Sequence, residues 1–107
     1  MNEQSLKQLI ARARKEQVVM CQSLPDGMQL LAYPTPDGAL VALGFERAAA
    51  HRVRAETVLR KRAEQLPRFG AWLPAMLHDG SWYVVRRVPD GAALAVEQLQ
   101  VARELLI

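Results

Sequence analysis

Two apolar segments separated by turn motifs fill residues 24–46, LPDGMQLLAYPTPDGALVALGFE. The Asp-Gly pairs at 26–27 and 37–38 predict turns, because glycine accepts a positive φ angle and aspartate tolerates one. The apolar stretches that follow these pairs predict strands at Met28–Tyr33 and Ala39–Phe45. Connections this short favour an antiparallel meander over parallel crossovers.

The residues before this segment predict one helix and one further strand. Asn2 is a suitable N-cap, and apolar residues then recur at helical spacing, which predicts a helix over Glu3–Glu16. Val18–Gln22 is a short apolar stretch that leads into the first turn. It predicts a strand that joins the meander.

The residues after the meander predict two helices and a second pair of strands. A charged stretch with a narrow, alanine-rich apolar stripe predicts one helix over Glu46–Leu66. Trp82–Val88 is dense in aromatic and β-branched residues and predicts a strand. Ala71–Leu77 is ambiguous, since Pro74 is tolerated only in an edge strand. Ala92–Ile107 predicts a final helix.

These elements predict a single α+β domain over residues 1–107. Their order is α-β-β-β-α-β-β-α, which predicts an antiparallel twisted sheet with helices packed on it. The length of 107 residues fits one domain. No apolar run approaches the roughly 18 residues of a membrane span, and the amphipathic N-terminus lacks the apolar core of a signal peptide. We therefore expect a cytoplasmic protein without a membrane span.

The positive charge is concentrated in the predicted central helix. The chain has 14 Lys and Arg against 11 Asp and Glu, and the excess of three equals that of residues 46–66, which hold six basic and three acidic side chains. Arg47, Arg54 and Lys61 are seven residues apart and would line one helix face, which could follow nucleic-acid phosphates. The interleaved acidic residues weaken such a surface, so we do not expect nucleic acid to be the main partner.

The residue types that carry catalysis or bind metals form no motif. His51 and His78 lack metal-ligand spacing, and a single cysteine, Cys21, excludes an internal disulfide. The sequence leaves a Cys21–His78 nucleophilic pair open, but no local motif supports it. Each glycine-containing turn has one glycine, so a phosphate-binding loop is missing. We therefore expect no enzymatic activity, no bound metal and no cofactor.

The apolar faces of the predicted helices exceed what one small core can cover. Exposed apolar surface of this kind marks a partner surface. Small residues along the central helix would let another helix approach closely, which favours a dimer. The residues therefore predict a binding module.

Two segments carry a resemblance to a known family. The strands and turns of residues 24–46 are followed by the central helix and then by DGSWYVVRRVPDGAALAVEQLQVARELL at residues 79–106. In this order they resemble the class I chaperones of bacterial type III secretion systems, over nearly the whole chain. The resemblance implies a small cytosolic dimer without ATPase activity that keeps a segment of a secreted client non-globular. The client would lay apolar side chains into grooves and add a strand to a sheet edge.

The resemblance also implies roles for individual residues. The alternative for each of them is a position in the core of the single chain. The client-binding surface would comprise the first helix and neighbouring strand positions: Leu6, Leu9, Ile10, Ala13, Val19, Cys21, Leu30 and Ala32. The dimer contact would comprise the central helix and the strand after it: Ala48, Ala55, Val58, Leu59, Arg62, Trp82 and Val84.

The implied partners are a secreted effector or secretion-apparatus protein and a second subunit, identical or related. Members of this family are typically acidic, whereas this chain is basic. The difference is consistent with an acidic partner subunit or an acidic client segment. The alternative function is a small basic nucleic-acid-binding or regulatory protein that uses the helix over residues 46–66.

Overall fold

Helices and strands follow one another in nearly the predicted order in the computed structural model, which describes residues 1–107. The elements are α1 (Glu3–Glu16), β1 (Met20–Ser23), β2 (Met28–Thr35), β3 (Gly38–Phe45), α2 (Ala55–Glu64), α3 (Leu66–Phe69), β4 (Leu73–Met76), β5 (Trp82–Pro89) and α4 (Val96–Leu106). Short 3-10 helices occupy Pro25–Gly27 and Arg47–Arg52. The predicted α+β class, with helices packed on one antiparallel sheet, is confirmed.

The five strands form one antiparallel sheet in the order β1-β2-β3-β5-β4. The central strand, β3, pairs along its whole length with β2 and β5. Thr35 lies opposite Gly38, so the β2–β3 hairpin closes through Pro36 and Asp37. The predicted meander is therefore present, and the ambiguous stretch around Pro74 is the edge strand β4.

The helices pack on one side of the sheet, which we call the covered face. Successive strand residues point to opposite sides. Alternate residues of β2, β3 and β5 join residues of all four helices in one buried cluster. The other side, which we call the open face, carries residues such as Leu31, Leu40 and Val85, and none of them belongs to that cluster.

The first helix begins and ends as its sequence predicts. The side chain of Asn2 accepts a hydrogen bond from the Ser5 N–H at 2.8 Å, which confirms it as the N-cap. Gln17 adopts a left-handed conformation, with φ 55°, and ends the helix. Because of this turn, β1 begins at Met20 rather than at Val18.

The prediction of one helix over Glu46–Leu66 is wrong. Val53 and Arg54 have extended backbones, with ψ angles of 127° and 107°, and separate the 3-10 helix from α2. The Val53 side chain is only 8% exposed and belongs to the core, so burial of this residue outweighs continuation of a charged, narrowly apolar helix. A second break falls at Gln65, because the Pro67 ring would clash with the preceding turn of a continuing helix. Pro67 lies instead in the first turn of α3, where its missing N–H costs nothing.

The last helix begins at Val96 rather than at Ala92. Ala95 is extended, with ψ 152°, and its N–H donates to the Gln98 side chain at 2.7 Å. Leu94 is buried in the core although it is not helical. The Val96 N–H donates to the Glu3 carboxylate at 2.9 Å, which ties this helix start to α1. None of the helices is both long and apolar enough to cross a membrane.

Candidate functional site

The edge strand β1 has one side without a partner. It pairs only with β2, and the Leu24 N–H donates to the Met28 carbonyl at 2.9 Å where the ladder begins. In an antiparallel ladder every second pair exchanges such bonds. Gln22 and Met20 therefore direct their main-chain N–H and C=O groups toward β2. Cys21 and Ser23 direct theirs outward, where they are free to pair with another strand.

The residues of β1 do nothing to block this edge. Natural edge strands are protected by shortness, charged side chains, proline, bulges or a covering element, and of these β1 has only its length of four residues. The sequence of β1 is MCQS, and only its first residue, Met20, is partly buried. The opposite edge, β4, contains Pro74, which cannot donate a hydrogen bond to an added strand. Of the two edges, β1 is the one open to strand addition.

A groove of about 700 Å³ runs between α1 and this edge strand. Four of its ten lining residues are apolar, among them Leu9 from the helix and Met20 from the strand. The other six are polar or charged, and they include Arg12, Lys15 and Glu16 of α1. Arg12 and Glu16 form an ion pair at 2.9 Å, which leaves the Lys15 charge in excess. The groove therefore fits an extended segment with apolar side chains on one side and an acidic residue nearby.

The structure divides the predicted client-binding residues into buried and accessible groups. Val19 is 47% exposed just before β1, and Cys21 is exposed on β1 itself. Ile10 is half-buried and lines a smaller groove between α1 and residues 92–94. The others lie in the core of the single chain, because they form the contact between α1 and the covered face: Leu6, Leu9, Ala13, Leu30 and Ala32.

The predicted dimer-contact residues are likewise divided. Val58 and Val84 lie in the core, and Trp82 packs against it from the covered face. Arg62 donates hydrogen bonds to two carbonyl oxygens of its own chain. Three residues are exposed, namely Ala48, Ala55 and Leu59.

The predicted basic stripe does not lie on one helix. Arg47 belongs to the 3-10 helix, Arg54 has an extended backbone, and Lys61 is in α2. The Lys61 ammonium group donates to the Glu104 carbonyl at 2.7 Å. Arg60 pairs with Glu56 in the same helix. The continuous cationic face on which phosphate binding depended is therefore broken.

The candidate catalytic residues are not brought together. Cys21 lies on β1, whereas His78 follows β4 at the other edge of the five-stranded sheet. No three histidine, cysteine, aspartate or glutamate side chains cluster as metal ligands would. The hydroxyl of Ser81 donates to the Asp79 carboxylate at 2.5 Å, and this bond lowers the pKa of that carboxyl. Asp79 therefore has a structural role in its turn.

One contact on the open face was not predicted from the sequence. Gln29, Gly44 and Tyr83 lie side by side across β2, β3 and β5. The Tyr83 hydroxyl donates to the Gln29 side chain at 3.1 Å across the glycine. Burial of the phenol raises the pKa of Tyr83. The pairing of Tyr83 with Gly44 is the feature that could have revealed this contact. It requires a strand register that the sequence alone does not supply.

Comparison with known proteins finds no relative, since no family model, curated protein or solved structure matches the chain. The edge of β1, the groove beside it and the order of elements are the features on which a function can be based. The edge is the most specific of these, because a row of outward-facing main-chain donors and acceptors is complementary to the main chain of an extended polypeptide.

Proposed function

We propose that the protein is a non-enzymatic secretion chaperone of the class I type III kind. It binds an extended, apolar segment of a secreted client and keeps that segment non-globular. The observation that carries this proposal is the unblocked edge of β1 beside the α1 groove. The order of elements supports it, because it resembles that of the family apart from the divided central helix.

The client segment adds as a strand outside β1. Its main chain pairs with the free N–H and C=O groups of Cys21 and Ser23, each bond contributing about 0.5–1.5 kcal/mol net. Its side chains alternate in direction. One set enters the groove against Leu9 and Met20, and the other lies beside Cys21 at the border of the open face. This arrangement selects alternating apolar residues and leaves the client unfolded.

The alternative of nucleic-acid binding loses its structural basis. It depended on a continuous helix over residues 46–66, and that segment is divided at Val53–Arg54 and again at Gln65. Several of its cations already bond to acceptors of the same chain. We therefore base the proposed function on β1.

The test removes one outward-facing N–H group and leaves the β1–β2 ladder unchanged. Cys21→Pro deletes a donor that points away from β2, and proline is tolerated at such an edge position. Cys21→Ala is the matched control, because it removes the same thiol and keeps the N–H. The probe is a fluorescein-labelled synthetic peptide with alternating valine and serine residues and one aspartate, and its binding is measured by fluorescence anisotropy at low and high salt.

We expect the wild-type protein and Cys21→Ala to bind the peptide at both salt concentrations, and Cys21→Pro to bind it at least tenfold more weakly. Hydrogen exchange should slow at the Cys21 and Ser23 amides of the wild-type protein when the peptide is added. Equal affinity of the proline and alanine variants would refute strand addition at β1, as would unchanged exchange at both amides. Far-UV circular dichroism shows that the variants are folded.

A further inference from the structure

The chain contains four Asp-Gly pairs, and two of them have identical neighbours. Residues 36–39 and residues 89–92 both read Pro-Asp-Gly-Ala. An Asp-Gly pair can cyclise, because glycine has no side chain to hinder the attack of its main-chain nitrogen on the aspartate carboxyl carbon. The local sequence gives Asp37 and Asp90 the same intrinsic reactivity, so a difference between them arises from the fold.

The Asp37–Gly38 peptide group is held in place by its surroundings. Its carbonyl accepts a hydrogen bond from the Asp90 N–H at 2.8 Å. A Cβ atom on Gly38 would clash with the Val88 carbonyl oxygen, so the space around this glycine is filled. The glycine nitrogen reaches the carboxyl carbon only after the peptide group rotates. At this pair the rotation breaks a main-chain hydrogen bond and meets packed neighbours.

Two further pairs are restrained by one hydrogen bond each. Arg52 donates to the Asp26 carbonyl at 2.7 Å, which holds the peptide group between Asp26 and the glycine that follows it. The Gly80 N–H donates to the Leu77 carbonyl at 2.9 Å, which holds the peptide group after Asp79. Rotation of either peptide group therefore also breaks a hydrogen bond.

The Asp90–Gly91 peptide group is the one that is free to rotate. Neither the Asp90 carbonyl nor the Gly91 N–H takes part in a main-chain hydrogen bond. Gly91 has a φ of 83°, and a Cβ atom there would meet nothing within 4 Å. The hydrogen bond from Arg14 lowers the pKa of the Asp90 carboxyl, and the nearby Gly91 N–H lowers it further. The glycine nitrogen and the carboxyl group are therefore neighbours in a turn that has room to close a ring.

We propose that Asp90 is a site of spontaneous isomerisation to isoaspartate. The Gly91 nitrogen attacks the carboxyl carbon of Asp90, and the carboxyl hydroxyl group leaves as water after it takes the amide proton. Water then adds to the resulting succinimide ring and opens it at one of its two carbonyl carbons. Opening at the main-chain carbonyl carbon gives isoaspartate, in which the side-chain methylene has become part of the main chain.

Arg14 controls this reaction, because it bonds to the carboxylate that is attacked. Its guanidinium donates to Asp90 at 2.8 Å and stabilises the charged form, whereas only the protonated carboxyl releases water. The same ion pair links α1 to the turn after β5. Isomerisation moves the carboxylate to another branch of the lengthened main chain and thereby releases this contact. The site lies outside β1, so isomerisation and client binding can fail independently.

The test incubates the folded protein at neutral pH in ¹⁸O-labelled water, because opening of the succinimide adds one oxygen atom from the solvent. The protein is then digested with trypsin in ordinary water, and mass spectrometry with fragmentation locates the label. Asp90 is the sole aspartate of the tryptic peptide of residues 88–103. Arg14→Gln removes the restraining cation. Arg12→Gln is its matched control, since Arg12 lies on the same helix and pairs with Glu16.

We expect label to enter Asp90 about fivefold faster than Asp37, because one main-chain hydrogen bond must first break at Asp37. Arg14→Gln should speed labelling of Asp90 severalfold, Arg12→Gln should leave it unchanged, and Gly91→Ala should slow it severalfold. In urea the unfolded chain should label Asp37 and Asp90 equally, because their local sequences are the same.

Three results would overturn the inference. The first is labelling of Asp37 in the folded protein that equals or exceeds labelling of Asp90. The second is a preference for Asp90 that persists in urea, since it would then arise from the sequence and not from the fold. The third is an unchanged rate in Arg14→Gln. Far-UV circular dichroism shows that the variants are folded during the incubation.

Discussion

Arg62 connects α2 to the segment that leads into β4, and its loss should weaken the fold even though it was predicted to lie at a dimer contact. The guanidinium Nε donates to the Trp72 carbonyl and its Nη2 to the Gly70 carbonyl, both at 2.9 Å. These carbonyls follow the short helix α3, where no helical partner is available to them. Arg62→Ala would leave both of them short of a donor.

The magnitude follows from the number and exposure of these bonds. A hydrogen bond from a charged group contributes about 1.5–3 kcal/mol when buried. Arg62 is only half-buried, and water can replace part of the interaction, so we expect a loss of about 2 kcal/mol for the pair. A chain of 107 residues has an unfolding entropy near 0.22 kcal/mol/K. The loss therefore corresponds to a decrease of about 9 °C in Tm.

Urea and thermal unfolding, followed by fluorescence of Trp72 and Trp82 and by circular dichroism, measure this effect. Arg60→Ala is the control on the same helix. Arg60 is exposed and pairs only with Glu56, an interaction of about 0.3–0.5 kcal/mol. Equal destabilisation by the two substitutions would refute the role of Arg62. A loss of stability that disappears when the protein concentration is lowered would also refute it, because that dependence would place Arg62 between subunits.

Three further predictions concern two glycines, the cap of α1 and one surface ion pair. Gly44→Ala should destabilise the protein by about 3 kcal/mol or more, because the added Cβ would lie 2.6 Å from the Tyr83 Cα. Gly91→Ala should cost only about 1 kcal/mol, because Gly91 has a φ of 83° but open space around it. Urea unfolding compares the two variants. Asn2→Ala should cost about 1 kcal/mol in the same assay, because it removes the cap of α1. The bond from Arg14 lowers the pKa of Asp90 below 3.8, so its stabilising contribution is present above that pH and is lost as the pH falls through the lowered value. Arg14→Gln should raise the Asp90 titration midpoint in carboxyl ¹³C NMR, and an unchanged midpoint would contradict this assignment.

Local patterns predict most elements of this fold. The Asp-Gly turns and the period of apolar residues are sufficient for α1, the meander and β5, because each depends on neighbouring residues only. The prediction of a single central helix fails because of a tertiary contact. Val53 is buried against the sheet, and nothing within residues 46–66 shows that this one valine, rather than the alanine stripe, makes the decisive contact.

The candidate site could be predicted less well, because it depends on strand register. The predicted client residues Cys21 and Leu30 belong to opposite faces of the sheet, since Cys21 lies opposite Leu31 and Gln22 opposite Leu30. Likewise Trp82 and Val84 point to the covered face, and their neighbour Val85 points to the open one. A shift of one residue exchanges core and surface. The alternation of side chains between the two faces of a strand follows from the sequence. Which face the first residue points to does not.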